Sequence, residues 1–163
     1  MTPYYCTRRR WQALQAEADS WLRTPFHHRQ AVKGQGVDCV NLVQETLAET
    51  SYWTRQDLAD YPVDFGSHSP DSVLLEAFRK LPAFRRAFHE IDLRPIDPSL
   101  RPSFIQPGDV VAILVGQCEH HAGLALPDRS LLHILRDTQG AGKLPLNTPA
   151  YLKRYTTIFR LIK

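Results

Sequence analysis

Apolar positions recur at helical spacing through the first half of the chain and gather into short dense runs in the second. Trp11, Leu14, Ala18, Trp21 and Leu22 share one face of a helix over about Thr7 to Arg23. Thr24-Pro25 ends it, because the residue before a proline is driven out of the helical region. A loop from Phe26 to Val37 follows, with Gly34 and Gly36 near its end. Val40, Val43 and Leu47 predict a second helix over about Cys39 to Glu49, capped by the Asp38 carboxylate. Ser69-Pro70 opens a third through Leu81, with proline at a tolerated first position and Val73, Leu74, Ala77, Phe78 and Leu81 as its buried stripe. A short helical piece continues through Phe84 and Phe88. Prolines 95, 98, 102 and 107 exclude regular structure between Arg94 and Gly108, which reads as a surface connector. Asp109 to Val115, His121 to Leu126, Leu131 to Leu135 and Thr156 to Ile162 read as strands. Helices first and an antiparallel sheet second make an α+β domain, and 163 residues fit one such domain around a single core.

Composition narrows the class only a little. Hydrophobic residues at 43% and charged residues at 23% are ordinary for a folded domain. No apolar run approaches the roughly 20 residues of a membrane helix, so no membrane span is expected. A net charge of +3 suits an anionic polymer. The basic residues are scattered apart from Arg8 to Arg10 and Arg85-Arg86, without the aromatic and basic pattern of a nucleic-acid module, and no nucleic-acid partner is expected. Arg8 to Arg10 stand where a secretory signal would carry its apolar stretch, so no export signal is expected. Three cysteines at irregular spacing (Cys6, Cys39 and Cys118) argue against a disulfide framework and for a reduced compartment.

Cys39 is the first candidate for chemistry. The free amides and dipole of a helix N-terminus favour thiolate, the reactive form, while Asp38 works slightly against that shift. Glycines ahead of it let a substrate backbone approach. The bland alternative is a small buried apolar residue. A nucleophilic thiol needs a base, normally a histidine oriented by a third polar group. Of seven histidines, His27, His28, His68 and His89 fall in loop or exposed helical contexts, while His120, His121 and His133 border a predicted hairpin. Alternation puts His121, Gly123 and Ala125 on one strand face and Ala122, Leu124 and Leu126 on the other. With an odd loop around Pro127 to Ser130, His133 joins the face of His121; an even loop splits the pair. Small Gly123 and Ala125 leave room for a helix close beside these histidines. On this ground alone, two unrelated polar strand residues remain an open alternative.

Five segments occur in order: Trp21-Leu-Arg-Thr-Pro-Phe26, Gly36-Val-Asp-Cys-Val-Asn-Leu-Val43, Gln106-Pro-Gly-Asp-Val-Val111, His121-Ala-Gly-Leu-Ala-Leu126 and Leu132-His133. In these the chain resembles the NlpC family of peptidoglycan peptidases, especially its phage-tail and gene-transfer-particle branch, over about residues 10 to 162. Cysteine preceding histidine separates it from the circularly permuted relatives that include lipid acyltransferases. The resemblance implies a papain-like fold with N-terminal helices on a C-terminal antiparallel sheet. It implies Cys39 as nucleophile, His121 as general base and acid, and His133 as the orienting group, with no cofactor. It further implies an oxyanion contact from the Cys39 amide, with Asp38, Gly36 and His120 nearby. The implied substrate is the peptidoglycan stem peptide, at the bond between D-glutamate and a diamino acid. Other phage tail proteins are implied partners. The missing signal fits delivery to the cell wall by a virion or a holin-type route, and it fits a plain cytoplasmic role too.

Two positions depart from the family. Phe26 stands where many members carry a tyrosine whose hydroxyl serves near the oxyanion, and Tyr4 or Tyr5 is a candidate to fold back in its place. Val40 and Asn41 replace serine and glycine, and the bulkier Asn41 narrows the site. Competing readings are a metal site from Cys118, His120 and His121 with His27 and His28, whose spacing matches no familiar zinc pattern, and a phosphate loop at Gly140 to Lys143, better read as a loop near the site. Trp11 and Trp21 read as core. A structural tail-tip component docking through the proline-rich connector, and an amidase or transferase on another acyl substrate, are the functional alternatives.

Overall fold

The computed structural model describes residues 1–58, 71–136 and 138–163. Helix α1 (Arg8–Ser20) is capped by Thr7, whose hydroxyl accepts from the Arg10 amide. Its stripe buries Leu14, Ala18 and the capping Trp21, but Trp11 and Leu22 stay substantially exposed, so the apolar face is narrower than its spacing suggests. The chain turns at Arg23 in the left-handed region, before Thr24-Pro25. The expected loop at 26–37 carries a two-stranded ribbon, β1 (Ala31–Val32) and β2 (Gly36–Val37). Helix α2 (Cys39–Thr50) follows at once. Beyond Val40, Val43 and Leu47 it buries Asn41, Gln44 and Thr46, so it is covered on most sides.

The third predicted helix is seen as α3 (Val73–Lys80), capped by Ser72; Ser69 and Pro70 lie outside the described residues. Ser72 also donates to the Glu119 carbonyl, fastening the start of α3 to the sheet. Helix α4 (Pro82–Ala87) ends sooner than expected, and Phe88 begins strand β3 (Phe88–Asp92). Phe84 and Phe88 stand four apart, a spacing a continued helix would share. Pairing of β3 with the last strand decides otherwise.

The connector holds a short helix, α5 (Arg101–Phe104), and is not merely surface. Leu93 and Ile105 are fully buried. Arg101 is buried too, donating to the carbonyls of Ile96, Leu152, Lys153 and Tyr155. One cation thus satisfies carbonyls of the connector and of the 152–155 turn into the last strand. Gly108 lies at φ +85, and a Cβ there would stand 1.9 Å from the Tyr5 ring; the turn into the sheet needs glycine for both reasons.

Strands β4 (Val110–Val115), β5 (Cys118–Ala125), β6 (Ser130–His133), β7 (Gly142–Pro145) and β8 (Tyr155–Leu161) complete the sheet, with helix α6 (Pro149–Leu152) between the last two. The order is β3-β8-β4-β5-β6-β7, antiparallel throughout. Strand β7 takes Gly142 and Lys143 out of the loop expected there and pairs Gly142 with His133. Both faces of the sheet are covered. Helices α2 and α3 lie on Val110, Ala112, Ala122, Leu124, Leu132 and Phe159, while the connector and the segment after β7 cover Val111, Ile113, Leu131, Tyr155 and Ile158. The result is an α+β fold with N-terminal helices on a C-terminal antiparallel sheet.

Candidate active site

The site begins at the first turn of α2. Asp38 is extended and buried, and its carboxylate accepts from the Asn41 amide at 2.8 Å and the Arg29 amide at 2.7 Å. That satisfies one free donor of the helix and pins the 27–30 turn to it. Val37, two residues before Cys39, accepts from the His27 amide at 3.0 Å and donates to Pro25 at 3.0 Å. Phe26 is therefore held alongside the strand that delivers Cys39. Thr24 is fixed in turn by Gly34 and by Ala141. A Cβ on Gly36 would lie 2.6 Å from the His27 Cβ, so this close approach admits only glycine.

The Cys39 thiol is met by the amides of Ala122, Val40 and Cys39 itself. The thiol therefore lies near the peptide that joins His121 to Ala122. His121 Nε2 lies 3.3 Å from His133 Nδ1, with the two rings edge to face. Leu124 pairs with Leu132 and Ala125 with Leu131, a register that leaves an odd three-residue loop between Leu126 and Ser130. The two histidines consequently share a face, as the odd-loop alternative requires. A bulge sets their level. The β4–β5 register slips between Ile113 and Leu114, leaving His120 as the extra residue just before His121. A second slip on the β8 side of Ile113 falls at Thr156. Paired bulges raise local twist and re-aim side chains at the end of a sheet.

The expectation that a helix packs beside the histidines is not met. Helix α2 lies on the face of Ala122 and Leu124, and the space over Gly123 is filled by Leu131, whose Cδ2 would stand 2.5 Å from a Cβ there. His121, paired with Ile113, belongs to the other face. The helix tip reaches the strand through its backbone. Among the described residues no hydrogen bond joins the Cys39 thiol to the His121 ring. Such contacts are often long in resting sites and tighten with substrate.

Electrostatics describe a neutral resting pair. Burial, then the Asp38 charge, pushes the Cys39 thiol up to about 12, although the residue keeps some solvent exposure. Burial, with His133 and His120 adding to it, takes His121 down to about 3, and burial alone lowers His133. Burial also lowers His120.

Other expectations are corrected here. Tyr5 cannot stand in for the missing tyrosine hydroxyl, since its own bonds Thr50 Oγ1 at 2.5 Å, at the far end of α2. A helix of 12 residues puts that end roughly 17 Å from Cys39. Tyr4 packs against Tyr5 and Tyr52 in the same remote cluster. The alternative metal donors are not gathered: the Cys118 thiol faces the Asp71 carbonyl, and no group of three potential ligands forms among the described residues. His89 is exposed on β3, and His68 lies outside the described residues. Asn41 is buried in the first turn, and its carboxamide oxygen accepts from Arg55 Nη2 at 3.0 Å. Arg55, with Gln44 and Gln56 beside it, is a neighbour of the site that spacing could not find. Arg55 follows α2 by five residues and returns along its flank only in the folded chain.

No family model matches the chain, and no curated protein is found similar to it. Among solved structures it is similar to the NlpC/p60 domain of peptidoglycan hydrolase SagA, with a TM-score of 0.52 and 14% identity over 93% of this chain and 97% of that one. At that identity the likeness speaks for architecture: this chain has the papain-like NlpC/p60 fold, with Cys39 at the start of its central helix and the two histidines on its sheet.

Proposed function

We propose that the protein is a cysteine peptidase that hydrolyses a stem-peptide amide bond of bacterial peptidoglycan. Cys39 is the nucleophile, His121 the general base and acid, and His133 the residue that positions His121. One observation carries this reading. The Cys39 thiol sits in the first-turn amides of α2 and against the Ala122 amide, directly after His121, whose Nε2 is tied to His133.

In the reaction His121 removes the thiol proton through an intervening water as Cys39 sulfur bonds to the substrate carbonyl carbon. The oxyanion forms beside the amides that meet the sulfur. Collapse breaks the carbon–nitrogen bond, and His121 returns the proton to the leaving amine. Water, deprotonated by His121, then releases the acid and restores the thiol. Starting from two neutral groups suits a buried site, because no ion pair must be held there at rest. The bond is that between D-glutamate and a diamino acid, and the protein works as part of a phage or prophage tail, the branch its motifs resemble.

A second reading is a structural tail component. The high-lying thiol, the low-lying His121 and the absence of a hydroxyl at Phe26 favour it. Mass spectrometry of purified peptidoglycan fragments incubated with the protein and with Cys39→Ala separates the two. New stem-peptide products that vanish in the variant are expected. No products with either protein, over several wall types, would overturn the peptidase reading.

A further inference from the structure

His133 is half-buried at the end of β6, and its two ring nitrogens are unequally placed. Nδ1 lies 3.3 Å from His121 Nε2, while among the described residues nothing bonds Nε2. One hydrogen bond fixes a single point of an imidazole, and the second side-chain torsion of histidine is broad. Packing must hold the rest of the ring.

The neighbouring strand on one side gives no such support. Gly142 stands directly opposite His133 on β7. Residues paired in this way put their side chains on one face, with Cβ atoms about 5 Å apart. A Cβ at Gly142 would meet nothing within 4 Å. The His133 ring therefore leans away from β7, toward His121, and the space over Gly142 is open. A ring released from its present pose has room to swing there.

Tyr151 supplies the packing that β7 lacks. Its ring meets that of His133 edge to face at 6.3 Å, and among the described residues His121 and Tyr151 are the aromatic rings against His133. Tyr151 is itself well fixed. It sits in α6, where its amide donates to the Thr148 carbonyl and its own carbonyl accepts from the Arg154 amide. Fully buried Tyr155 packs against its ring at 6.4 Å, and the Arg154 guanidinium stands over it at 5.6 Å. A column of rings, Tyr155, Tyr151, His133 and His121, thus runs from the core to the candidate base.

We infer that Tyr151 is a positioning residue whose ring edge holds His133 against His121 and keeps the imidazole out of the space over Gly142. The inference rests on the proposed peptidase reading only for its kinetic consequence. The contact is made by the ring, so the Tyr151 hydroxyl has no part in it.

The test compares Tyr151→Phe, Tyr151→Ala, Gly142→Val and the double variant Tyr151→Ala with Gly142→Val. Nitrogen–proton correlation spectra of the imidazoles in histidine-labelled protein report the pose directly. The His121 and His133 signals are expected to stay in place in Tyr151→Phe and in Gly142→Val. In Tyr151→Ala they are expected to move toward those of a free imidazole. In the double variant they return, because the valine fills the open space from the β7 side. Tyr151→Leu, which keeps most of the volume without a flat ring edge, is expected to displace them part way and serves if the alanine variant does not fold. On a stem peptide kcat is expected to follow the same order, with about a tenfold loss in Tyr151→Ala at little-changed KM, the scale of a small misplacement near the chemistry. Unmoved signals in Tyr151→Ala, signals displaced as far in Tyr151→Phe, or a folded double variant that regains nothing each overturns the inference. Failure of the peptidase reading shows separately: every protein would leave the peptide uncut while the spectra still follow this order.

Discussion

His121 Nε2 and His133 Nδ1 stand 3.3 Å apart on neighbouring antiparallel strands, one ring fully buried and the other partly open. That contact commits one nitrogen of His121 and leaves Nδ1 as its other face for proton transfer. His133 acts through His121, as a positioning residue. His133→Ala is expected to lower kcat on a stem peptide about a hundredfold, with KM little changed. His133→Asn, which can still hydrogen-bond a ring nitrogen, is expected to recover part of the loss. Steady-state kinetics on both variants checks this; unchanged kcat in His133→Ala would remove His133 from the machinery.

His121 also sets a pH dependence of folding. Its folded pKa of about 3 lies below the unfolded value of 6.5, so the unfolded chain takes up the proton more readily. The neutral folded form is fully favoured above about pH 6.5, and stability is lost progressively as pH falls from there toward 3. No change from this group is expected above pH 6.5. Melting temperatures from pH 8 to 4 should fall less steeply for His121→Gln than for the parent protein. Parallel curves would show that the ring is not desolvated.

Asp38 opposes the thiolate of its neighbour while capping the helix. Asp38→Asn keeps a side-chain acceptor for the Asn41 amide and removes the second-largest cause of the raised Cys39 pKa. Alkylation of Cys39 by iodoacetamide at pH 8, followed by peptide mass spectrometry, is expected to speed up roughly tenfold in the variant, equivalent to about one pKa unit. Exposed Cys6 supplies the internal standard, since its rate should not move.

Arg160 and Asp109 make a bidentate pair, at 2.8 and 2.7 Å, where β8 crosses the start of β4. Burial raises the Asp109 carboxyl and Arg160 opposes that rise. Arg160→Met leaves the carboxylate buried without its cation and is expected to cost about 3–5 kcal/mol. Urea denaturation reads the loss directly. A change below about 1 kcal/mol would mean that water reaches Asp109 in the variant.

Much of the site was legible in the chain. Asp38 caps α2 because a short acceptor directly before an apolar stripe has one favourable use, and Cys39 then falls at the first helical position whatever packs around it. The pairing of His121 with His133 followed from parity once the loop was odd. Which face α2 would cover was not legible. Both faces of this sheet are apolar, with Val110, Val111, Ala112 and Ile113 all fully buried, and alternation says only which residues share a face.

Local patterns failed wherever pairing with a distant segment made the decision. Phe84 and Phe88 satisfy a helix as well as a strand, and only β8 turns Phe88–Asp92 into an edge strand. Gly142–Pro145 reads as loop until β6 lies beside it. Arg101 lies in a proline-rich stretch that reads as a surface connector, yet it is buried because the carbonyls of Arg94, Ile96, Leu152, Lys153 and Tyr155 converge on it.

Sequence by itself determined the starts of α1 and α2, the apolar runs that became β4, β5, β6 and β8, and the thiol at a helix tip. Each depends on residues a few positions apart, where backbone geometry leaves little freedom. Tertiary structure decided that the thiol meets the strand at the Ala122 amide, that both groups are neutral at rest, and that Arg55 returns to Asn41 beside the site. Those outcomes depend on burial and on contacts between distant segments, which exist only once the chain has closed around its core.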